Sequence, residues 1–173
     1  MKLLILSDTH GYVENARNII QRIGKYMACV IHLGDHDKDA MRLQSEFSNI
    51  PFYVVRGNND YGTDTPTELM VRYGGKKILL THGNKQNVYG NLNVIHYWAM
   101  EKGADAVLFG HTHTPFYEDK GQVLLMNPGS ISRPRQSLTP TFGILEITDT
   151  GIMQGTIMEY HGENSFFPSK YYL

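Results

Sequence analysis

Short apolar runs alternate with amphipathic segments through the first third of the chain, and this order restricts the fold more than any other feature. The runs KLLIL, ACVIHL and FYVV have the length and composition of buried strands. Between them, apolar side chains recur at helical spacing over residues 13–26, and a second helix is predicted over residues 38–47. Parallel strands that are joined by helices use right-handed crossovers. The sequence therefore predicts an α/β fold.

The pattern changes after residue 65. The runs ELMVRY and KKILLTH flank Gly74 and Gly75, which is typical of a β-hairpin with a tight turn. A third helix is predicted near residues 92–100, and Gly103 can end it. Four more strands are predicted at DAVLF, QVLLMN, FGILEIT and IMQGTIMEY. No linker or repeat divides the 173 residues, so we expect a single domain over residues 1–173, with mixed sheets and outer helices.

Composition argues against several classes of function. The formal net charge is -1, without the basic excess of proteins that bind long nucleic acids. No stretch approaches the roughly 20 apolar residues of a membrane span, and the first apolar run meets Asp8 too early for a signal peptide. The single cysteine, Cys29, lies in a predicted strand and is expected to be a buried apolar residue. We therefore expect a cytoplasmic protein.

Side chains that can bind metals follow five of the predicted strands. The motifs are SDTHG, LGDHD, RGNND, LTHGN and LFGHTHTP, in chain order. Each motif alone also fits an ordinary turn. Their repetition at successive strand ends, where open α/β sheets bind ligands, instead favours one shared metal site. The candidate ligands are Asp8, His10, Asp35, Asn58, His82, His111 and His113.

The chemistry of this ligand set narrows the choice of metal ion. Two carboxylates, one amide oxygen and four imidazoles are too many ligands for one tetrahedral zinc ion, and too rich in nitrogen for calcium or magnesium. Two transition-metal ions that share a bridging carboxylate would use the whole set. Ion pairs of this kind activate water and hold phosphoryl oxygens during phosphoester hydrolysis.

The motif series DTH, GD, GNND, HG and GHTH resembles that of the calcineurin-like metallophosphoesterase superfamily. The early first motif and the segment MNPGSISRPR are similar to the small YfcE/Vps29-like phosphodiesterase family. This resemblance implies a four-layer αββα sandwich of two mixed β-sheets flanked by helices. It also implies hydrolysis of small phosphodiesters by a hydroxide that bridges two metal ions.

The resemblance also implies roles for single residues. One ion would be held by Asp8, His10 and His113, the other by Asn58, His82 and His111, and Asp35 would bridge them. Manganese is the first expectation for both ions, with iron, nickel and zinc left open because mixed sites of this kind accept them all. The residues expected to act in catalysis are Asp35, Asn59 and His82, and those expected to contact substrate are Asn59 and Arg133.

One position departs from the superfamily pattern. Many members have a histidine after the metal-binding asparagine, held near the leaving group, whereas this chain has Asn59. Asparagine donates a hydrogen bond but delivers no proton at neutral pH. We therefore expect a preference for esters whose leaving group needs no proton, such as aryl phosphodiesters.

Two other functions remain open from the sequence. One is a Vps29-like protein-binding scaffold that retains its metal site, and the other is a phosphomonoesterase. All seven ligands are present, which favours an enzyme over a scaffold, and Asn59 disfavours the monoesterase.

A homodimer is also expected, from the resemblance and from the aromatic C-terminal segment HGENSFFPSKYYL, which would pack on the domain or on a second subunit.

Several polar side chains have less certain roles. Arg56 and Arg135 could reach a substrate phosphate, although arginines in loops are usually just exposed. His36 and Asp37 either orient metal ligands or are solvated loop residues. His32 and His96 are predicted to be structural, because they lie inside a strand and a helix.

Overall fold

Two mixed β-sheets and three helices build the described part of the chain. The computed structural model describes residues 1–119, 121–136, 138–162 and 165–169. The helices are α1 (Glu14–Ile23), α2 (Asp37–Glu46) and α3 (Leu92–Glu101). The strands are β1 (Lys2–Leu6), β2 (Cys29–His32), β3 (Phe52–Val54), β4 (Glu68–Tyr73), β5 (Lys76–Thr81), β6 (Ala106–Leu108), β7 (Phe116–Glu118), β8 (Leu124–Asn127), β9 (Thr141–Ile147), β10 (Met153–Tyr160) and β11 (Phe166–Pro168).

The strands form one sheet of six and one of five. The larger sheet has the order β11-β10-β9-β1-β2-β3, and the smaller has the order β4-β5-β6-β8-β7. Strands β1, β2 and β3 run parallel, as do β5, β6 and β8, while the remaining pairs are antiparallel. The carboxyl ends of each parallel set therefore lie at one edge of its sheet.

Alternate residues of each strand face different layers, because successive side chains of a strand point to opposite faces. On β1, Leu3 and Ile5 join a buried cluster between the two sheets, whereas Leu4 and Leu6 join the cluster that includes α1 and α2. On β5, Ile78 belongs to the inner cluster, and its neighbour Leu79 packs with Ile95 and Ala99 of α3. The predicted four-layer αββα sandwich is confirmed.

Element boundaries differ from the prediction in a few places. The first helix ends at Ile23 and continues as a 3₁₀ turn over Gly24–Tyr26, since glycine is a poor residue for extending an α-helix. The short strands β7 and β11 were not predicted, because three residues carry too little periodicity to recognise.

Two smaller expectations can be compared with the structure. Cys29 is fully buried, as predicted. Part of the C-terminal segment packs on the protein itself, because β11 pairs with β10 and Phe166 contacts the ring of Phe142. Residues 163–164 and 170–173 of that segment lie outside the described residues. Within the described ranges, no helix has both the length and the apolar character needed to cross a membrane.

Candidate metal centre

The loops after β1, β2, β5 and β6 bring most of the predicted ligands together. Each residue of one group offers a donor atom that lies within 4.8 Å of the others, and the members are Asp8, His10, Asp35 and His113. His82 and His111 adjoin this group, since His82 Nε2 lies 3.4 Å from Asp35 Oδ1 and 3.2 Å from His111 Nδ1. Asn58 is exposed in the turn after β3, and among the described residues no hydrogen bond joins its side chain to the other ligands.

Five of the predicted ligands have a left-handed backbone conformation. Their φ angles are 56° for Asp8, 46° for His10, 57° for Asp35, 71° for His111 and 57° for His113. Residues other than glycine rarely adopt this conformation, which costs on the order of 1–3 kcal/mol each. Such strain is concentrated at functional sites. The concentration of left-handed residues among the predicted ligands is therefore typical of a functional site.

Asp8 has one buried oxygen that lacks a hydrogen bond. Its Oδ2 atom accepts from Ser7 Oγ at 2.6 Å and from the His111 N–H at 3.2 Å. Its Oδ1 atom is buried without a hydrogen-bond partner in the described structure, although His113 Nε2 lies 3.2 Å away. An unsatisfied buried carboxylate oxygen is costly unless a cation lies next to it. This orphaned oxygen fits a metal ligand.

Two histidines present ring nitrogens that suit metal binding. The Nδ1 atom of His113 lies 2.6 Å from the Arg133 carbonyl, and that of His82 lies 2.7 Å from the Leu33 carbonyl. Because a carbonyl oxygen only accepts hydrogen bonds, each Nδ1 must carry the hydrogen, and each neutral ring then has its lone pair on Nε2. These lone pairs face the carboxylates of Asp8 and Asp35. A cation between ring and carboxylate would stabilise both.

Asp35 has the geometry of a ligand shared between two ions. Its Oδ2 atom lies 3.7 Å from His10 Nε2, and its Oδ1 atom lies 3.4 Å from His82 Nε2. The two oxygens therefore face different histidines. Asn59 holds this carboxylate, since its backbone N–H donates to Oδ1 at 3.0 Å and its side-chain amide donates to Oδ2 at 2.6 Å.

The electrostatics of the group favour the protonation states that metal binding requires at Asp8, His10 and His111, but not at His113. Burial acts to raise the pKa of Asp8, but its interactions with His113 and His82 outweigh burial, so the pKa lies below its usual value. Burial lowers the pKa of His10 and of His111, which keeps both rings neutral. The His113 ring differs, because its interaction with Asp8 outweighs its burial and raises its pKa.

Protons should compete with metal at His113. A ring with a raised pKa is protonated below that pKa, and only the neutral ring binds metal. We expect the manganese affinity to fall about tenfold per pH unit below the His113 pKa and to level off above it. Titration calorimetry at several pH values, in buffers that differ in ionisation enthalpy, measures both the affinity and the protons released. A manganese affinity that does not change with pH would contradict this assignment.

The segment NPGSIS, residues 127–132, holds two of the ligand loops in place, a role that the sequence did not reveal. The Asn127 side-chain amide donates to the Gly110 carbonyl at 2.8 Å, in the loop that carries His111. The hydroxyl of Ser130 donates to the Asp8 carbonyl at 2.8 Å, and that of Ser132 donates to the same carbonyl at 2.9 Å. The segment therefore fixes the loops after β1 and β6 relative to each other.

Asp60 is a second residue whose role sequence reasoning missed. Its Oδ1 atom accepts from the N–H groups of His36 and Asp37, and its Oδ2 atom accepts from those of Asp35 and Gly57, at 2.8–3.1 Å. One carboxylate thus caps the first turn of α2 and fixes the loop that carries Asp35. The sequence signal for this role was the position of Asp60 as the last residue of the GNND motif.

The predicted arginines divide between the centre and its surroundings. Arg133 is exposed, and its charge acts to lower the pKa of the nearby His10. The guanidinium of Arg135 contacts the hydroxyl of Tyr89. Arg56 donates to the Thr63 carbonyl at 3.2 Å, within its own loop.

The remaining polar candidates take supporting positions. His32 is buried and lies 3.2 Å from the hydroxyl of Thr9, as expected of a structural histidine. Asp37 is buried and accepts from Thr65 Oγ1 at 2.7 Å, so its interpretation as a solvated loop residue is wrong. The ring of His36 is half-exposed, and its centroid lies 5.4 Å from that of His10.

Comparison with known proteins identifies the family. A family model described as the calcineurin-like phosphoesterase superfamily domain matches residues 1–150. The chain belongs to this superfamily. This phosphoesterase is 37% identical to the probable metallophosphoesterase YsnB of Bacillus subtilis over 147 residues, which cover 85% of each chain. It is 30% identical to a phosphodiesterase of Methanocaldococcus jannaschii over 164 residues, which cover 84% of this chain and 93% of that protein.

A structural likeness extends to a solved structure of Vps29. The crystal structure of wild-type Vps29 complexed with Zn²⁺ from Entamoeba histolytica matches with a TM-score of 0.76 at 21% identity. The match covers 98% of this phosphoesterase and 97% of the Vps29 chain. At this identity the likeness shows the fold alone. The resemblance to the superfamily and to its YfcE/Vps29-like members is thus confirmed, and the protein is a metal-dependent phosphoesterase.

Proposed function

We propose that this protein is a binuclear phosphodiesterase that acts on small phosphodiesters. The observation that carries the proposal is the position of Asp35, whose two oxygens face different histidines. A carboxylate in this position suits a bridging ligand between two ions. One ion would be held by Asp8, His10 and His113, and the other by Asn58, His82 and His111.

The proposal includes divalent transition-metal ions, with manganese first and with iron, nickel and zinc as alternatives. When bound, two such ions would supply an activated water as the nucleophile and would neutralise charge on the phosphoryl oxygens. Residues of the chain would orient the bridging carboxylate and bind the substrate. Asn59 orients the Asp35 carboxylate by two hydrogen bonds, and the exposed Arg133 would contact the substrate phosphate.

The residue at position 59 favours esters with a leaving group that is stable as an anion, and within that class we propose aryl diesters as substrates. An amide cannot protonate a leaving alkoxide, and the Asn59 amide already donates to Asp35 at 2.6 Å. A leaving group that is stable as an anion avoids this requirement. The phosphodiesterase name of the Methanocaldococcus jannaschii relative also supports this choice.

The proposal is tested by turnover of bis-p-nitrophenyl phosphate with metal-stripped protein that has been refilled with manganese. We expect manganese-dependent release of p-nitrophenolate, two manganese ions per chain, and slower release from p-nitrophenyl phosphate. Two bound ions without turnover would favour the Vps29-like scaffold instead. Faster hydrolysis of the monoester would favour a phosphomonoesterase.

Replacement of Asn59 by histidine should change the choice of leaving group. An imidazole beside the leaving oxygen can donate a proton, and general-acid help is typically worth about 10²–10⁴-fold for an alkoxide. We therefore expect Asn59→His to raise the rate on alkyl phosphodiesters relative to aryl phosphodiesters. The check is the ratio of kcat/KM for the two classes, and an unchanged ratio would count against this explanation.

Two further expectations accompany the proposal. We expect the protein to act in the cytoplasm and to form a homodimer, and both stay predictions.

A further inference from the structure

An apolar cavity adjoins the loop that carries His111 and His113. Its volume is about 400 Å³, within the range of small-molecule sites. The walls are mostly apolar or aromatic, the polar members are uncharged, and the described lining residues are Val88, Tyr89, Leu92, Phe109, Pro115 and Phe116 with Thr112, Thr114 and Gln136. The cavity therefore suits a neutral, ring-containing group.

Two contacts connect this cavity with the metal centre. The ring centroid of Tyr89 lies 4.9 Å from that of His111, and its hydroxyl donates to the His111 carbonyl at 3.0 Å. Thr112, which lies between the two predicted histidine ligands, forms part of the cavity wall. Arg135 lies at the edge, with its guanidinium carbon 5.6 Å from the Tyr89 ring centroid. A substrate bound at the metals would thus have the cavity beside it.

A second cavity next to Asp35 has the opposite character. It measures about 240 Å³ and is lined by His36, Lys38, Asn59 and Tyr61, together with two carboxylates. Both carboxylates already accept hydrogen bonds, Asp60 from backbone N–H groups and Asp37 from Thr65. Lys38 is outnumbered by the two carboxylates, so this side offers hydrogen-bond donors from Asn59, Tyr61 and Lys38 rather than an excess of positive charge. Such donors can solvate the oxygen that gains negative charge as it leaves phosphorus. The departing arm of a diester therefore fits this polar side.

We propose that the apolar cavity binds the ester arm that stays on phosphorus, and that it selects substrates in which this arm carries an aromatic ring. The inference rests on the proposed phosphodiesterase function. The difference in polarity between the two cavities supports it, because the departing oxygen gains charge and needs hydrogen-bond donors, while the retained arm stays neutral. Tyr89 would contact the ring of the substrate and would be a specificity residue.

The test keeps the leaving group constant and varies the retained arm. Phenyl p-nitrophenyl phosphate and methyl p-nitrophenyl phosphate both release p-nitrophenolate, so leaving-group chemistry cancels from their comparison. We expect the manganese-loaded protein to prefer the phenyl ester by about tenfold in kcat/KM, mainly through KM. Tyr89→Ala removes part of the wall, and Gln136→Trp adds bulk at an exposed lining position, so each should reduce the preference to about twofold or less.

The matched control is Tyr97→Ala, which removes a tyrosine of α3 that is exposed like Tyr89 but does not line the cavity. It should keep both rates and the full preference. Equal rates on the two esters in the unmodified protein would overturn the inference, as would a preference that survives both cavity variants. Failure of the unmodified protein to hydrolyse either ester would instead overturn the proposed function.

Discussion

Replacement of Asp35 by asparagine is expected to lower kcat/KM for bis-p-nitrophenyl phosphate by at least about 10³-fold. The loss of one transition-state contact typically costs about 10²–10³-fold, and this carboxylate faces histidines of both proposed ion sites. Asparagine keeps the size of the side chain but removes its charge. Steady-state kinetics in manganese, together with metal content per chain, measure the effect. We expect fewer than two bound ions in the variant.

The matched control is Asp149→Asn, which removes an exposed carboxylate from the turn between β9 and β10. The site lies beyond the carboxyl end of β1, and β9 runs antiparallel to β1, so this turn is at the far end of the sheet. The control should keep full activity and two ions. If Asp35→Asn bound two ions and hydrolysed the diester at the normal rate, the bridging role would be wrong.

Replacement of Asp60 by alanine should damage both stability and metal binding. The change leaves four backbone N–H groups without their carboxylate acceptor, so we expect the free energy of unfolding to fall by about 2–4 kcal/mol. The loop that carries Asp35 loses its support, and loss of a residue that orients metal ligands typically costs about 10–100-fold in affinity. Urea unfolding and manganese titration measure the two effects.

Two variants make this result specific. Asp64→Ala removes an exposed carboxylate from the same loop and should change neither quantity. Asp60→Asn keeps one acceptor oxygen and should fall between Asp60→Ala and the unmodified protein. An Asp60→Ala protein that unfolds earlier but binds manganese normally would show that Asp60 supports the fold without positioning the ligands.

The layered fold and the ligand loops could be predicted because they depend on local patterns. Apolar runs of strand length and helical periodicity indicate a layered α/β fold with mixed sheets, the family resemblance adds the four-layer sandwich, and polar residues after strands indicate the edge that holds the site. Residues that act through distant contacts could not be predicted in this way. Asp60 supports Asp35 from 25 residues away in sequence, and Ser130 bonds the Asp8 carbonyl from 122 residues away.

The other differences between prediction and structure also arise from contacts between distant segments. The three-residue strands β7 and β11 depend on their partners β8 and β10 rather than on their own sequence. Asp37 follows directly after the polar residues Asp35 and His36, which suggested a solvated loop, and only the folded structure shows that Thr65 covers it. Burial of a polar side chain depends on which segment packs over it, and a single sequence does not contain that information.

The candidate metal ligands are divided between the two sheets of the sandwich. Asp8 and Asp35 follow strands of the six-stranded sheet, whereas His82 and His111 follow strands of the five-stranded sheet. Most contacts between the sheets are apolar and have little directional preference, although the hydroxyls of Tyr73 and Tyr117 form hydrogen bonds across the interface. Ions held by both sheets would cross-link the sheets at one end of this interface. Bound ions would thereby fix the position of one sheet relative to the other at this end of the interface.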